Sequence, residues 1–231
     1  MCAFKGWNDA GESATSALAF VAGSLGAESF ASIDPEEFVD FQTTRPTVRL
    51  EVGITRTIDW PEFEVHDPEY LALLERLLAD EALRADWRRA PCTRGGHHAY
   101  LGGLLEHTVA VGTLALEACQ LHPRLNSDLL ICAALVHDLG KTREFTYGAA
   151  IELSEEGRML GHIPLGQQLL DARSGGMSSE KRLALAHCVL THHGADPAPG
   201  RRFGSPEALA LYRLNALDAS VKGALEHGLP N

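Results

Sequence analysis

The sequence predicts a mainly α-helical protein, a helical bundle preceded by a short α/β segment. Three observations carry that expectation. From Asp67 onward, apolar residues recur at three- and four-residue spacing between capping residues and glycines. Before Asp67 the apolar runs are short, β-like and separated by acidic turns. Histidines, several with an aspartate or a second histidine beside them, fall at the ends or in the interiors of several different helical stretches.

The chain has 231 residues, 45% of them hydrophobic, which suits one good domain or one domain with a smaller piece. The N-terminus, Met-Cys-Ala-Phe-Lys followed by Gly-Trp-Asn-Asp, has no charged region leading into an apolar stretch. The longest unbroken apolar run, Leu129 to Val136, is far short of the roughly 20 residues of a membrane span, so no membrane partner and a soluble cytoplasmic protein are expected. The cysteines Cys2, Cys92, Cys119, Cys132 and Cys188 are odd in number and contain no C-x-x-C pair, so they read as small buried hydrophobes in a reducing compartment. A net charge of -11 excludes a protein held on nucleic acid by bulk electrostatics. Residues 1–65 carry 4 basic and 11 acidic side chains and residues 66–231 carry 16 and 20, so any nucleic-acid contact must be a local basic patch.

In the first segment, Ala3–Trp7 reads as the end of a strand, Asn8–Gly11 as a turn and Glu12–Leu25 as a helix. Short β-like runs follow at Ser29–Ile33, Thr47–Val52 and Ile54–Trp60. Asp67 then caps a helix with Pro68 at its first position and Tyr70, Leu71, Leu74, Leu77 and Leu78 at helical spacing. A short helix through Leu83 and Trp87 brings Arg84, Arg88, Arg89 and Arg94 close together, either a solvated face or a phosphate-binding patch. The helix after His107 runs to about Leu121, and Asn126 to Asp128 cap a further helix that Gly140 is placed to end. Phe145, Tyr147, Ile151 and Leu153 suggest a small β excursion, after which Ser154-Glu155-Glu156 restarts helix. Pro164 is expected to kink or restart the helix running to Arg173, Ser178 or Ser179 caps one ending at Thr191–Gly194, and Ser205-Pro206-Glu207 opens a last long helix through Asp218.

His107, His137, Asp138, His162, His192, His193 and Asp218 are therefore drawn from five helical segments, the way a bundle builds a metal site in its core. Neutral imidazoles with carboxylates suit manganese, iron, cobalt, nickel or zinc rather than magnesium or calcium. Seven ligands are too many for one tetrahedral ion and about right for two ions sharing a carboxylate, with Asp138 the natural bridge. Lys141, one helical turn past His137, is a candidate catalytic cation for charge developing on phosphate oxygens. Its plainer alternative is a helix-end charge complementing the dipole.

The order His, His-Asp, His, His-His, Asp resembles the HD-domain superfamily of metal-dependent phosphohydrolases. The stretches His97–Thr108, His137–Lys141, Leu160–Ile163, His192–Gly194 and Leu217–Ala219 are similar, more narrowly, to the YhaM-type 3′→5′ exoribonucleases over residues 67–222. That resemblance implies an HD-domain helical bundle in which His107, His137, Asp138 and Asp218 hold one ion, and Asp138, His162 and His192 the second. It leaves His193 as a further ligand or as a neighbour that orients one. It also implies RNA or nucleotide as substrate. Together with the ligand count and the basic patch, the expectation is two divalent transition-metal ions, manganese first among them, Asp138 and Lys141 as catalytic residues, and Arg89, Arg94 and His98 as substrate contacts. Gly6–Gly11, Ile33–Glu37 and Asp40–Pro46 resemble the start of the proteasome assembly chaperone family, whose α/β domains are much longer. Residues 1–65 are thus expected to be a truncated, incomplete α/β segment and residues 66–231 the HD domain.

The chain departs from the exoribonuclease pattern in three places. It carries the chaperone-like segment where that family usually has an OB-type nucleic-acid-binding domain, Phe203–Ala208 is shortened, and Tyr212 and Asn215 stand where His and Asp are expected. The expected activity is 3′→5′ exoribonuclease-like cleavage of RNA or short oligonucleotides by a two-metal-activated water. The alternatives are a nucleotide phosphohydrolase acting on mononucleotides and a non-catalytic binding module. The oligomeric state is left open.

Overall fold

A computed structural model describes residues 63–147 and 150–229, together with the backbone of residues 47–51 and 55–59. The expected strand, turn, helix and β-like run before residue 34 lie outside the described residues. Strands β1 (Thr47–Glu51) and β2 (Thr55–Asp59) form an antiparallel hairpin with Thr47 opposite Asp59 and Glu51 opposite Thr55, at two of the expected β-like runs.

The rest is mainly helical. Helix α1 (Pro68–Ala79) opens with proline at its first position and the Asp67 carboxylate accepting the Glu69 and Tyr70 amides. Its buried stripe is Tyr70, Leu73, Leu74 and Leu77; Leu71 and Leu78, expected inward, lie outside the stripe and are largely exposed. Leu73 and Leu77 are fully buried, each contributing roughly 2 kcal/mol. Helix α2 (Glu81–Arg89), capped by Asp80, buries Leu83 and Trp87 and leaves Arg88 and Arg89 exposed.

Helices α3 (Gly103–Leu121), α4 (Ser127–Val136) and, at the chain's end, α9 (Pro206–His227) form the centre. Leu129 to Ala134 and Val136 of α4 are all buried, as a helix apolar on every side must be. It packs on α1, α3, α9 and on α8 (Ser179–Thr191). Its C-terminal end consequently lies in the interior, so the His137-Asp138 pair just beyond it is delivered into the core.

Gly140 does not stop that helix by a left-handed turn. The helix gives way at His137, and Gly140 takes ordinary helical angles at the head of a single turn, α5 (Lys141–Glu144). The hairpin β3 (Phe145–Tyr147) and β4 (Ile151–Leu153) comes next, Phe145 opposite Leu153, at the expected excursion. Ser154 caps α6 (Glu155–Leu160) by accepting the Gly157 amide. The break before α7 (His162–Asp171) comes at Gly161, with φ 72°, rather than at Pro164. Pro164 sits in the first turn of α7, where an amide has no helical partner to lose. Ser205 caps α9 by accepting the Ala208 amide, and α9 runs nine residues beyond Asp218 to His227. Cys92, Cys132 and Cys188 are buried free thiols. Among the described residues no helix is long and apolar enough to cross a membrane.

Candidate metal centre

Past the end of α4 the chain tightens into three-residue hydrogen bonds, Leu139 N–H to the Val136 carbonyl and Lys141 N–H to that of Asp138. This turns Asp138, 1% exposed, inward beside His137. A side chain at Gly140 would overlap the His162 carbonyl oxygen, so glycine there lets the first residue of α7 reach the same point. Helix α3 supplies His107, and the C-terminal end of α8 supplies His192 and His193.

The two oxygens of Asp138 face different histidines. Oδ2 lies 3.3 Å from His137 Nε2 and 3.5 Å from His107 Nε2. Oδ1 lies 3.4 Å from both His162 Nε2 and His192 Nε2, and although buried it has no hydrogen-bond partner among the described residues.

Four imidazoles are tied through Nδ1, which fixes their tautomer and turns the Nε2 lone pair inward. His137 donates Nδ1–H to the Ala134 carbonyl at 2.8 Å and His192 to that of Val189 at 2.6 Å. His162 donates to Glu144 at 3.3 Å and His107 to Asp218 at 2.6 Å. The resulting Nε2 pairs are close: 3.2 Å for His107 with His137, 3.4 Å for His162 with His192, and 3.2 Å for His162 with His193. Facing lone pairs beside a partnerless buried carboxylate oxygen form a cage of acceptors, and a cation is what satisfies it. Burial lowers the pKa of His137 and His192, so these rings are held neutral, the form that ligates.

The ligand atoms of His107, His137 and Asp138 lie within 4.8 Å of one another, as do those of Asp138, His162, His192 and His193. Neutral nitrogens with one shared carboxylate fit divalent transition metals.

Asp218 stands elsewhere. It lies on the Nδ1 side of His107 and also accepts from His98 Nε2 at 3.1 Å, so its ligand group is His98, His107 and Asp218 rather than the His137–Asp138 pair expected from the sequence. The α9 side chain on the inner face of His107 is Asn215, one turn earlier. Its Oδ1 is 3.0 Å from His107 Nε2, while its Nδ2 donates to the His192 carbonyl at 3.1 Å and so fixes which way the amide points.

Lys141 is also placed differently from a surface cation. It is 5% exposed, with Nζ 2.6 Å from Asp138 Oδ2 and 3.4 Å from Cys92 Sγ. Burial alone would raise the Asp138 carboxyl, but the Lys141 ammonium beside it holds it well below the carboxylate range. Burial likewise opposes the charge on Lys141, and Asp138 outweighs it to raise the ammonium. Burial pushes the Cys92 thiol up to about 12, leaving it a neutral neighbour.

Of the expected substrate contacts, Arg94 is exposed, and Arg89 is exposed with its guanidinium 5.9 Å from the centre of the Tyr147 ring. His98 is 1% exposed and bonded to Asp218, so it is withdrawn from the surface and cannot meet a substrate there. Residues that sequence reasoning did not place in the site are Asn215, Glu144 and Cys92. Only Asn215 left a signal, as a departure one turn before Asp218.

Residues 104–220, half of the chain, match the HD domain. The chain belongs to the HD-domain family. The cage lies wholly in helices and turns of the matched span. Residues 3–89 match the PAC2 family, in line with the N-terminal resemblance, and that match continues through α1 and α2. Among curated relatives, the 3′-5′ exoribonuclease YhaM of Geobacillus sp. (strain WCH70) is 36% identical over 139 residues, 57% of this chain and 41% of the relative. That of Bacillus subtilis (strain 168) is 31% identical over 190 residues, 79% of this chain and 58% of the relative. That of Bacillus velezensis is 30% identical, also over 190 residues and 58% of its length. This HD-domain chain thus spans well under two thirds of the length of these relatives. No solved structure matches it.

Proposed function

We propose that this chain is a 3′→5′ exoribonuclease-like phosphodiesterase acting on RNA or short oligonucleotides with two divalent transition-metal ions, manganese first among them. The observation that carries the reading is Asp138, whose two oxygens each face a separate set of inward Nε2 atoms, His107 and His137 on one side, His162 and His192 on the other. When bound, such ions supply Lewis acidity and make water a nucleophile near neutral pH. His107, His137 and Asp138 Oδ2 would hold one ion, and His162, His192 and Asp138 Oδ1 the other.

The protein's own contribution is arrangement. The Nδ1 bonds to Ala134, Val189, Glu144 and Asp218 keep the rings aimed, and Lys141 balances Asp138 when the cage is empty. His193, exposed and 3.2 Å from His162, serves as a further ligand from the open side. Exposed Arg89 and Arg94 supply phosphate contacts. The chemistry is assigned to residues 66–231 and the chaperone-like segment to 1–65. Buried free thiols suit a reducing compartment, which supports a cytoplasmic setting.

The test is to load the full chain with manganese and follow a 5′-labelled oligoribonucleotide with a free 3′-hydroxyl, beside nucleoside mono- and triphosphates. The reading expects stepwise shortening from the 3′ end that Asp138→Asn abolishes. Turnover of the mononucleotides alone would replace it with the nucleotide phosphohydrolase. No turnover of any of them, with biological function surviving Asp138→Ala and lost on removing residues 1–65, would leave a binding module.

A further inference from the structure

His98 is one of two non-glycine residues in the left-handed region among the described residues, with φ 51°. Such a conformation persists in a bulky side chain only where the surroundings over-determine it. Every polar handle of His98 is in use. Its amide donates to Glu226 Oε2 at 3.1 Å, in the last turns of α9, and its carbonyl accepts the Cys92 amide at 3.1 Å. That carbonyl also presses on Gly103 so closely that any side chain there would overlap it. In the ring, Nε2 donates to Asp218 Oδ2 at 3.1 Å and Nδ1 pairs with the Tyr100 hydroxyl at 3.0 Å. The chain of contacts goes on: Tyr100 donates to Glu106 at 2.6 Å, and Lys222 of α9 reaches Glu106 at 2.8 Å. The loop before α3 is thereby locked to α9 through one buried imidazole.

We infer that His98 is a positioning residue of the metal centre: through Asp218 it holds His107 with Nδ1–H outward and the Nε2 lone pair facing His137 and Asp138. The inference rests on the metal reading of the cage. It assigns Asp218 the role of the carboxylate behind a ligating histidine, with His98 as the anchor that stops that carboxylate from turning away. Tyr100, Glu106 and Lys222 are the outer part of the same clamp. Groups that orient a ligating histidine in this way commonly account for about 10- to 100-fold in metal affinity.

The experiment is competition for manganese and for zinc against a chelating indicator, using the full chain as wild type, His98→Leu, His98→Gln and Tyr100→Phe, with each variant's melting temperature measured in chelator. His98→Leu is expected to bind about 10-fold more weakly or worse. His98→Gln, whose amide can still donate to Asp218, recovers most of that loss, and Tyr100→Phe shows a smaller one. A merely structural residue would lower the melting temperature in chelator and leave affinity unchanged, which overturns the inference. If His98→Leu does not fold, the comparison of His98→Gln with Tyr100→Phe carries the test, and wild-type affinity in both overturns it. A wild type that takes up neither ion overturns the metal reading itself, and the inference with it.

Discussion

Asn215 Oδ1 lies 3.0 Å from His107 Nε2, on the side of the ring that faces His137 and Asp138, while Asp218, one turn later, holds the opposite nitrogen. The last helix therefore offers the cage a neutral oxygen where a carboxylate would add a charge. Asn215→Asp should reveal this. Without metal, the new carboxylate meets only acceptors, so the melting temperature in chelator falls. With manganese, the added charge attracts the ion and affinity rises about tenfold or more. Chelator competition and melting curves measure both, and equal affinity in the two proteins would mean that no ion sits against Asn215. Asp218→Asn should perturb affinity less than Asp138→Asn.

Lys141 and Asp138 form a buried pair at 2.6 Å, and removing one partner of such a pair leaves an uncompensated charge. Lys141→Met is expected to cost about 3–5 kcal/mol in the metal-free protein, read by urea unfolding. Manganese should restore most of that, because an ion beside Asp138 replaces the lost cation. A loss that metal leaves unchanged would place the Lys141 contribution in packing alone.

The elements were largely legible from capping and period. Asp67 with Pro68, Asn126, Ser154 and Ser205 with Pro206 each open a helix where the sequence puts one. That His137, Asp138, His192 and His193 would come together was legible because His-Asp and His-His end helices whose apolar faces must point inward. What sequence spacing could not show is which side of a ring a neighbour occupies. Asn215 and Asp218 share a helix face at i and i+3, and only the rotation of α9 against α3 decides that the amide, not the carboxylate, meets His107 Nε2. His98 escaped for a related reason: next to exposed arginines in sequence, it is turned inward by a left-handed backbone that no local pattern announces.

Gly140 was legible as important but for another reason than the one the sequence suggested. Its angles suit any residue, so the constraint is the approach of α7, whose His162 carbonyl occupies the space a side chain would fill. Gly140→Ala should push α7 outward, cost on the order of 1–3 kcal/mol and weaken the His162 side of the cage. Gly112→Ala meets the ring of Phe63, a side chain that can move, and should cost less. Paired melting and metal titrations of the two variants separate the outcomes, since equal losses would exclude backbone approach as the cause.

Away from the cage, acid stability should be set at the caps of the first two helices. Lys181 bonds the Asp67 carboxylate and, against the opposing effect of burial and helped by the helix amides, holds its pKa below the ordinary 3.8. The Leu83 amide, and then Arg173, do the same for Asp80. A carboxyl lowered in the folded state contributes stability that is complete above its unfolded value and is lost as pH falls through the folded one. Buried neutral histidines such as His137 and His192 already make the metal-free protein less stable as pH falls below about 6.5, and the melting temperature should drop further below about pH 4, where these carboxyls protonate. Asp67→Asn keeps a capping oxygen but not the charge, so it should melt lower at pH 7 and show a shallower acid limb. Lys181→Met removes the largest cause of the Asp67 shift and should produce the same flattening. A double variant no flatter than either single one would show that both act through the one pair, whereas additive flattening would assign Lys181 a separate role through Glu69, which it reaches at 2.9 Å.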